Sequence, residues 1–288
     1  MPEPAVPGSP AVDGDEASPL RRLPAGLSAA EVHSHTLASD GMVTADQLVL
    51  AASAVGLGAL CITDHDTLGV TPQAVELGRV VGVDVVSGQE ITTAMPPGIH
   101  LAGLFLDRPV RMHMSLEDTI DAIHDQGGLA LLCHPFMPTW FASITPGRAR
   151  RLLEHRRLDG IELRHTAPML PGGWGRLDNF YAEHRLQLGA AVGAGDSHFG
   201  AGDLGRLVTL FPGAGAAALR LAIESGTTSP FRGIRPRGPS LRTRLAQQQR
   251  SMIWLAGERR AGRVGHGAGP GQGRPCKPAG WHRDRGPV

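Results

Sequence analysis

Lysine is all but missing from this chain: a single residue, Lys277, stands among 288. A Schiff-base lysine, a Walker-type phosphate loop and a carbamylated-lysine metal bridge are therefore excluded from everything before it. Cysteine is scarce too. Cys61, Cys133 and Cys276 are odd in number and widely spaced, and two lie in apolar runs, so they read as reduced thiols of a cytoplasmic protein. No apolar run reaches the ~18 residues a membrane span needs. The first 20 residues hold neither Lys nor Arg and no apolar core, so no secretory signal is expected. Net charge is also near zero, at +1, but unevenly spread. Residues 240–288 carry ten Lys or Arg against two acids, a net of +8, which leaves −7 on the first 239. An acidic body suits a site that attracts cations.

Histidine, by contrast, is plentiful, with 13 residues. The stretch Glu31-Val32-His33-Ser34-His35, followed by Ser39-Asp40-Gly41, carries the densest signal. In a strand, residues two apart share a face, so His33 and His35 offer imidazoles toward one point. Asp40 follows after a short turn, and Gly41 supplies backbone freedom. Two imidazoles and a carboxylate at a strand end form a donor set for a divalent metal.

The rest of the chain alternates strand and helix. Residues 1–28, rich in Pro, Ala, Gly and acids, read as a disordered leader. Thr44-Ala45-Asp46-Gln47 is a capping box opening a helix that Gly56 and Gly58 end. The buried strand Ala59–Ile62 stops at Thr63-Asp64-His65-Asp66. A helix near Thr71–Val80 leads to the strand Val83–Ser87 and Gly88-Gln89-Glu90. A hairpin turn at Pro96-Pro97-Gly98 precedes the strand that carries His100. Ser115 caps a helix bearing Leu116, Ile120 and Ile123, and Leu129–Cys133 delivers His134. Thr145-Pro146 opens an Arg-rich helix. Gly160–His165 reads as a strand, Leu177–Leu188 as a helix, and Ala190–Ala194 runs into Gly195-Asp196-Ser197-His198. A strand at Leu207–Phe211 and a helix at Ala214–Ser225 complete the alternation. From 237 to 288, Arg, Gly, Pro and Gln dominate, broken by a short apolar patch at Met252–Ala256, and this reads as a basic disordered tail. Strand–helix units about 30 residues apart predict a parallel α/β sheet, and about seven of them favour a closed barrel over an open sheet. One barrel domain is expected over residues 29–236.

His33, His35, His65, Glu90, His134, Asp196 and His198 all fall at C-terminal strand ends, with Asp40 in the first loop and His100 in the hairpin. At that end of an α/β barrel the loops converge. Six of thirteen histidines placed there by packing alone is a poor explanation; a shared metal site is the better one.

On these stretches, above all His33-Ser34-His35 with Ser39-Asp40-Gly41, Thr63-Asp64-His65, Gly88-Gln89-Glu90, Cys133-His134-Pro135 and Gly195-Asp196-Ser197-His198, the chain resembles the polymerase-and-histidinol-phosphatase (PHP) family of metal-dependent phosphoesterases. The resemblance covers about residues 30–235. Glu31-Val32 stands where the family often has Asp-Leu, and Ser197 where it often has Ala. The resemblance implies a distorted (β/α)7 barrel holding two or three divalent ions, usually Zn, Mn or Fe. It places one metal on His33, His35, Glu90 and Asp196, a second on Asp40, His65 and His198, and a third on Glu90, His100 and His134, with Glu90 bridging. The implied activity is hydrolysis of a phosphate ester of a small metabolite, nucleotide or oligonucleotide by a metal-activated hydroxide.

Three further residues are candidates for catalysis. Arg164, at the end of a strand, would bind phosphate oxygens in a fork. His165 would protonate the leaving alkoxide. Asp64 would orient a ligand imidazole. Arg148, Arg150 and Arg151 could extend a phosphate-binding rim, but a solvated helix face is the better reading of them. Trp140, Phe141 and Trp174 could stack a base. The rival readings are an exonuclease whose basic tail recruits nucleic acid, an amidohydrolase-type metallohydrolase, and a metal-binding regulator without catalysis.

Overall fold

The computed structural model describes residues 18–96, 98–139 and 142–267. The strands are β1 (Leu27–Glu31), β2 (Ala59–Ile62), β3 (Asp84–Thr92), β4 (His100–Leu104), β5 (Leu129–Leu132), β6 (Gly160–His165), β7 (Ala190–Ala194), β8 (Leu207–Pro212) and β9 (Ser229–Arg232). The helices between and after them are α1 (Ala45–Val55), α2 (Pro72–Val81), α3 (Leu116–His124), α4 (Pro146–Leu153), α5 (Gly173–Leu188), α6 (Gly215–Ser225), α7 (Leu241–Gln249) and α8 (Ala256–Arg260). Local signals in the sequence account for most boundaries. Thr44 and Gln47 form the reciprocal capping box of α1, and Gly56 ends that helix in the left-handed region. Ser115 caps α3, and Thr145 with Pro146 opens α4.

The strands form one mixed sheet in the order β7-β6-β5-β4-β3-β2-β1-β8-β9. β1, β2 and β3 run parallel, as do β5, β6 and β7. β4 is antiparallel to both neighbours, β3 and β5. The sheet curls into a nearly closed barrel. At its C-terminal mouth the extensions of β1 and β7 meet: His35 N–H donates to Ser197 O (2.8 Å) and Ser197 N–H donates to His33 O (3.2 Å). At the other end β8 wedges in antiparallel to β1. There the Thr209 hydroxyl spans the gap, accepting from Gly193 N–H (3.0 Å) and donating to Gly193 O (2.9 Å).

Small residues face the barrel interior, among them Ala30, Ala59, Cys61, Ala102, Ala190 and Ala194. Leu219, Ala222 and Ile223 of α6 pack onto them, and Asp84, at the N-terminal end of β3, accepts the Ala216 N–H of α6 (2.7 Å). That end is plugged, so the polar end is the mouth. The free thiols of Cys61 and Cys133 are buried in this core. No helix among the described residues is long and apolar enough to cross a membrane.

The chain ends differ from expectation in two places. Pro19–Arg22 forms a 3-10 turn before β1. Beyond residue 237, where no structure is expected, α7, a π-helical stretch (Arg250–Leu255) and α8 run on continuously. Residues 1–17 and 268–288, including Cys276 and Lys277, lie outside the described residues, as do Trp140 and Phe141.

Candidate metal centre

All nine expected ligands meet at the mouth. Glu90, brought in by the long β3, is the hub: His33, His35, His65, His100 and His134 each place a ring nitrogen 2.6–3.3 Å from one of its carboxylate oxygens. Asp196, just past β7, lies 3.0 Å from His35 Nε2 and 3.5 Å from His33 Nε2. Asp40, in the loop after β1, lies 3.3 Å from His198 Nε2, 3.7 Å from His35 Nδ1 and 3.8 Å from His65 Nε2. Four groups among the described residues offer ligand atoms within 4.8 Å of one another: His33, His35, Glu90 and Asp196; His35, Asp40, His65 and His198; His65, Glu90 and His100; and, behind His33, the buried trio His33, Cys133 and Glu162. The first matches its expected set. The second adds His35 to its set. In the third, His65 stands where His134 was expected, while His134 reaches Glu90 alone, at 3.0 Å.

Two ligands sit in strained backbone, Asp196 at φ 49° and His134 at φ 26°. Non-glycine residues rarely adopt this region, and such strain concentrates at functional sites. Gly41 serves space rather than conformational freedom, for a Cβ there would lie 2.4 Å from the His35 backbone. Only glycine lets the Asp40 loop fold back so tightly.

The electrostatics favour cation binding. Burial alone would raise Glu90, Asp40 and Asp196, but the imidazoles around them more than reverse it and hold all three below the usual carboxylate range. Burial would lower His198, yet Asp40 and Asp196 lift it to about 10. Burial takes His65 down to about 4, leaving a neutral imidazole. His33 Nε2, His35 Nδ1, His65 Nδ1 and Asp40 Oδ1 are buried and have no hydrogen-bond partner. Several of these approaches are short but poorly aligned for hydrogen bonds, as expected of lone pairs turned toward a common centre. The donor set fits divalent ions.

Two buried acids that the motif reading left out hold the ligands in place. Glu162 on β6 lies 2.6 Å from His33 Nδ1 and accepts the His134 N–H at 2.6 Å with its other oxygen. It fixes the His33 ring with Nε2 turned toward the cluster, a common support for a ligand histidine. Glu31 accepts the Gly195 N–H (2.8 Å) and so ties β1 to the start of the Asp196 loop. A glutamate inside an otherwise apolar strand is the signal that could have found both.

The three catalytic candidates are placed otherwise than expected. Arg164 forks onto Asp178 of α5 (2.7 and 3.0 Å) and lies over the Trp174 ring, so its charge is taken outside the mouth. His165 is buried against Trp174, with Nε2 3.3 Å from Pro135 O. Burial lowers its pKa, which disfavours the protonated form a general acid needs. Asp64 orients no imidazole; it accepts from the backbone and hydroxyls of Thr36 and Ser39. Its role is to shape the loop that presents Asp40. Of the α4 arginines, Arg150 faces Glu183 and Phe180 of α5.

The C-terminal segment roofs this mouth. Gln247 of α7 donates to Asp40 Oδ2 (3.2 Å), and Arg250 donates to the carbonyls of Ser39 and Leu37. Arg259 of α8 donates to buried Asp66 (2.8 Å) and to the Thr92 hydroxyl (2.9 Å). The cavity left beneath has a volume of about 380 Å³.

The PHP domain profile matches residues 31–135, the span holding seven of the nine ligands. An uncharacterized protein of Methanocaldococcus jannaschii, MJ1587, is 32% identical over 145 residues, covering 46% of this chain and 80% of that one. The 5'-3' exoribonuclease Rnm of Salmonella typhimurium is 33% identical over 174 residues, covering 59% of this chain, but the chain spans only 46% of the enzyme's length. In fold, the chain is similar to a two-domain protein with a PHP-like metal-dependent phosphoesterase from Bacteroides vulgatus, with a TM-score of 0.57 at 22% identity over 72% of this chain and 65% of that one. Ligand cluster, barrel and sequence similarity agree: residues 31–135 carry a PHP domain, and the chain belongs to that family.

Proposed function

We propose that the chain hydrolyses phosphate esters of small phosphorylated metabolites or nucleotides at two or three divalent ions, Mn, Zn or Fe. His33, His35, Glu90 and Asp196 would hold one ion, Asp40, His65 and His198 a second, and Glu90 with His100 and His134 a third. The observation that carries this reading is the convergence of six imidazoles and three carboxylates on one mouth with unpartnered buried nitrogen and oxygen atoms among them. Bound there, the ions would supply Lewis acidity toward the phosphoryl oxygens and lower the pKa of a water. The chain's own part is to hold that geometry: Glu162 orients His33, Asp64 shapes the Asp40 loop, and Gln247 of the roof bonds to Asp40.

Exonuclease action on nucleic-acid ends is the second reading, favoured by similarity to the Salmonella exoribonuclease. Recruitment of a polyanion by the basic tail is weakened, since Arg250 and Arg259 are engaged with barrel loops. Amidohydrolase chemistry and a purely regulatory role have no observation in their favour.

The test is phosphate release from nucleoside monophosphates, bisphosphates, histidinol phosphate and short oligonucleotides, with Mn and Zn each supplied, alongside measured metal content. His33→Ala and Asp196→Ala should each lower bound metal and abolish turnover while leaving the circular dichroism spectrum unchanged. Wild-type rates in either variant would overturn the reading.

A further inference from the structure

A mouth lined by Asp40, Glu90 and Asp196 repels an anion unless fixed cations offset it. Metal ions answer for the reacting oxygens; the remaining phosphate oxygens need donors from the protein. Arg164 is committed to Asp178. Among the described residues lining the cavity, two carry a permanent positive charge, Arg206 and Arg244.

The placement of Arg244 follows from helical geometry. Arg244, Gln247, Gln248 and Ser251 all line the cavity. Their spacing of i, i+3, i+4 and i+7 is one stripe of a helix, here wholly polar and turned toward the site. Gln247, one turn beyond Arg244, is pinned to Asp40 and buried. The stripe therefore cannot rotate away without breaking that bond. The guanidinium of Arg244 makes one hydrogen bond, from Nε to Pro239 O at 3.3 Å, which steadies its stem and leaves both Nη groups uncommitted among the described residues. Arg206 reaches the same cavity from the turn before β8. Its backbone carbonyl accepts from Gly233 N–H (3.1 Å), while its side chain has no hydrogen bond or ion pair among the described residues.

We propose that Arg206 and Arg244 are the phosphate-binding pair of this site, and that the α7 stripe is its substrate-recognition wall. The ligand class is a phosphate ester small enough for a partly open cavity of about 380 Å³, at the lower end of the range for small-molecule pockets. This rests on the reading above that the site takes phosphate esters.

The test compares the full chain with Arg206→Gln, Arg244→Gln and the double variant. Steady-state kinetics use the best ester from the release panel, and calorimetry measures inorganic phosphate binding to the metal-loaded protein. Loss of one charge-assisted fork should raise KM and the phosphate Kd about tenfold or more. The double variant should lose more, with kcat held within about threefold and metal content unchanged. Arg244→Lys, which keeps the charge but not the fork, should fall between. A double variant with wild-type KM and phosphate affinity would overturn the proposal while leaving the catalytic reading intact. If the wild type hydrolyses no ester, the catalytic reading fails instead, and the phosphate-binding arm still decides whether this pair holds the anion.

Discussion

Replacing Arg259 with methionine isolates what holds the roof in place. The Asp66 carboxylate is fully buried, and its partners are the Thr92 N–H (2.7 Å), the Thr92 hydroxyl (3.0 Å) and the Arg259 guanidinium. Arg259→Met removes the only cation among them and leaves the carboxylate its two hydrogen bonds. Breaking a buried ion pair on one side typically costs about 3–5 kcal/mol. Arg259 is 24% exposed, and the two bonds to Thr92 persist, so about 2 kcal/mol is expected here. The loss should fall on docking of the roof rather than on the barrel, because Arg259 meets the barrel only through the Asp66 carboxylate and the Thr92 hydroxyl at the end of β3 and takes no part in the strand ladders. At about 1.4 kcal/mol per tenfold, opening of the segment should become roughly 30-fold more frequent. Native-state hydrogen exchange of the amides in α7 and α8 reads this directly, with β5 and β6 as internal controls. Arg259→Lys should open less. Pairing Arg259→Met with Asp66→Asn, which removes the stranded charge, should recover part of the protection. Unchanged exchange in the methionine variant would refute the anchoring argument; so would equal acceleration in β5, which would make the roof part of one global unit.

Two other outcomes follow from placements already described. Arg164→Met should cost no more than about 1 kcal/mol in thermal or denaturant unfolding and leave KM for a phosphate ester unchanged, since its partner Asp178 is 44% exposed and such pairs are worth little; a rise in KM would return Arg164 to the site. Burial lifts the Glu31 carboxyl to about 8, with its bonds to Gly195 and His33 pulling the other way, so in the metal-free protein the folded state holds a proton that the unfolded chain gives up near 4.5, and stability drains away as pH rises through that window to about 8. Glu31→Gln should therefore match wild type near pH 4.5 and gain on it up to pH 8, by at most about 5 kcal/mol, in denaturant titrations at stepped pH; a difference that shrank with rising pH would refute the assignment.

How much of this was legible beforehand depended on the range of the forces involved. The ligands could be read because each ends a short apolar strand, and strand ends of a barrel converge whatever the loops between them do. His33, His65, Glu90, His134 and Asp196 needed no long-range contact to be placed. The antiparallel course of β8 against β1 could not be read, because Leu207–Phe211 looks the same whichever way it runs. The roof was hidden for a different reason. Its sequence is rich in Arg and Gln, and α7 has no apolar face to mark it as a packed helix. What docks it, besides the buried Leu255 and Val264, is a set of polar contacts to residues some 190 to 210 positions earlier, such as Arg259 with Asp66 and Gln247 with Asp40. Composition reports burial of apolar surface; it has no means of reporting that a distant carboxylate awaits a guanidinium.

The misplacement of Arg164 turns on a single residue of register. Alternation along a regular strand puts Glu162 and Arg164 on one face, so a glutamate pointing into the mouth would bring the arginine with it. The ladder to β7 runs Glu162 opposite Val192 and then Arg164 opposite Gly193, two steps on one strand against one on the other. That irregularity is a bulge, and it reverses the faces beyond it. Glu162 stays inward, where its two oxygens hold the ring of His33 and the backbone of His134. Arg164 turns out to meet Asp178, and His165 turns in to pack beneath the loop that carries Pro135. The same slip that adds a buried carboxylate to the support of the metal site removes a cation from its rim. A phosphate-binding charge must then come from elsewhere, and the wall where α7 and the turn before β8 face the cavity is where Arg244 and Arg206 stand.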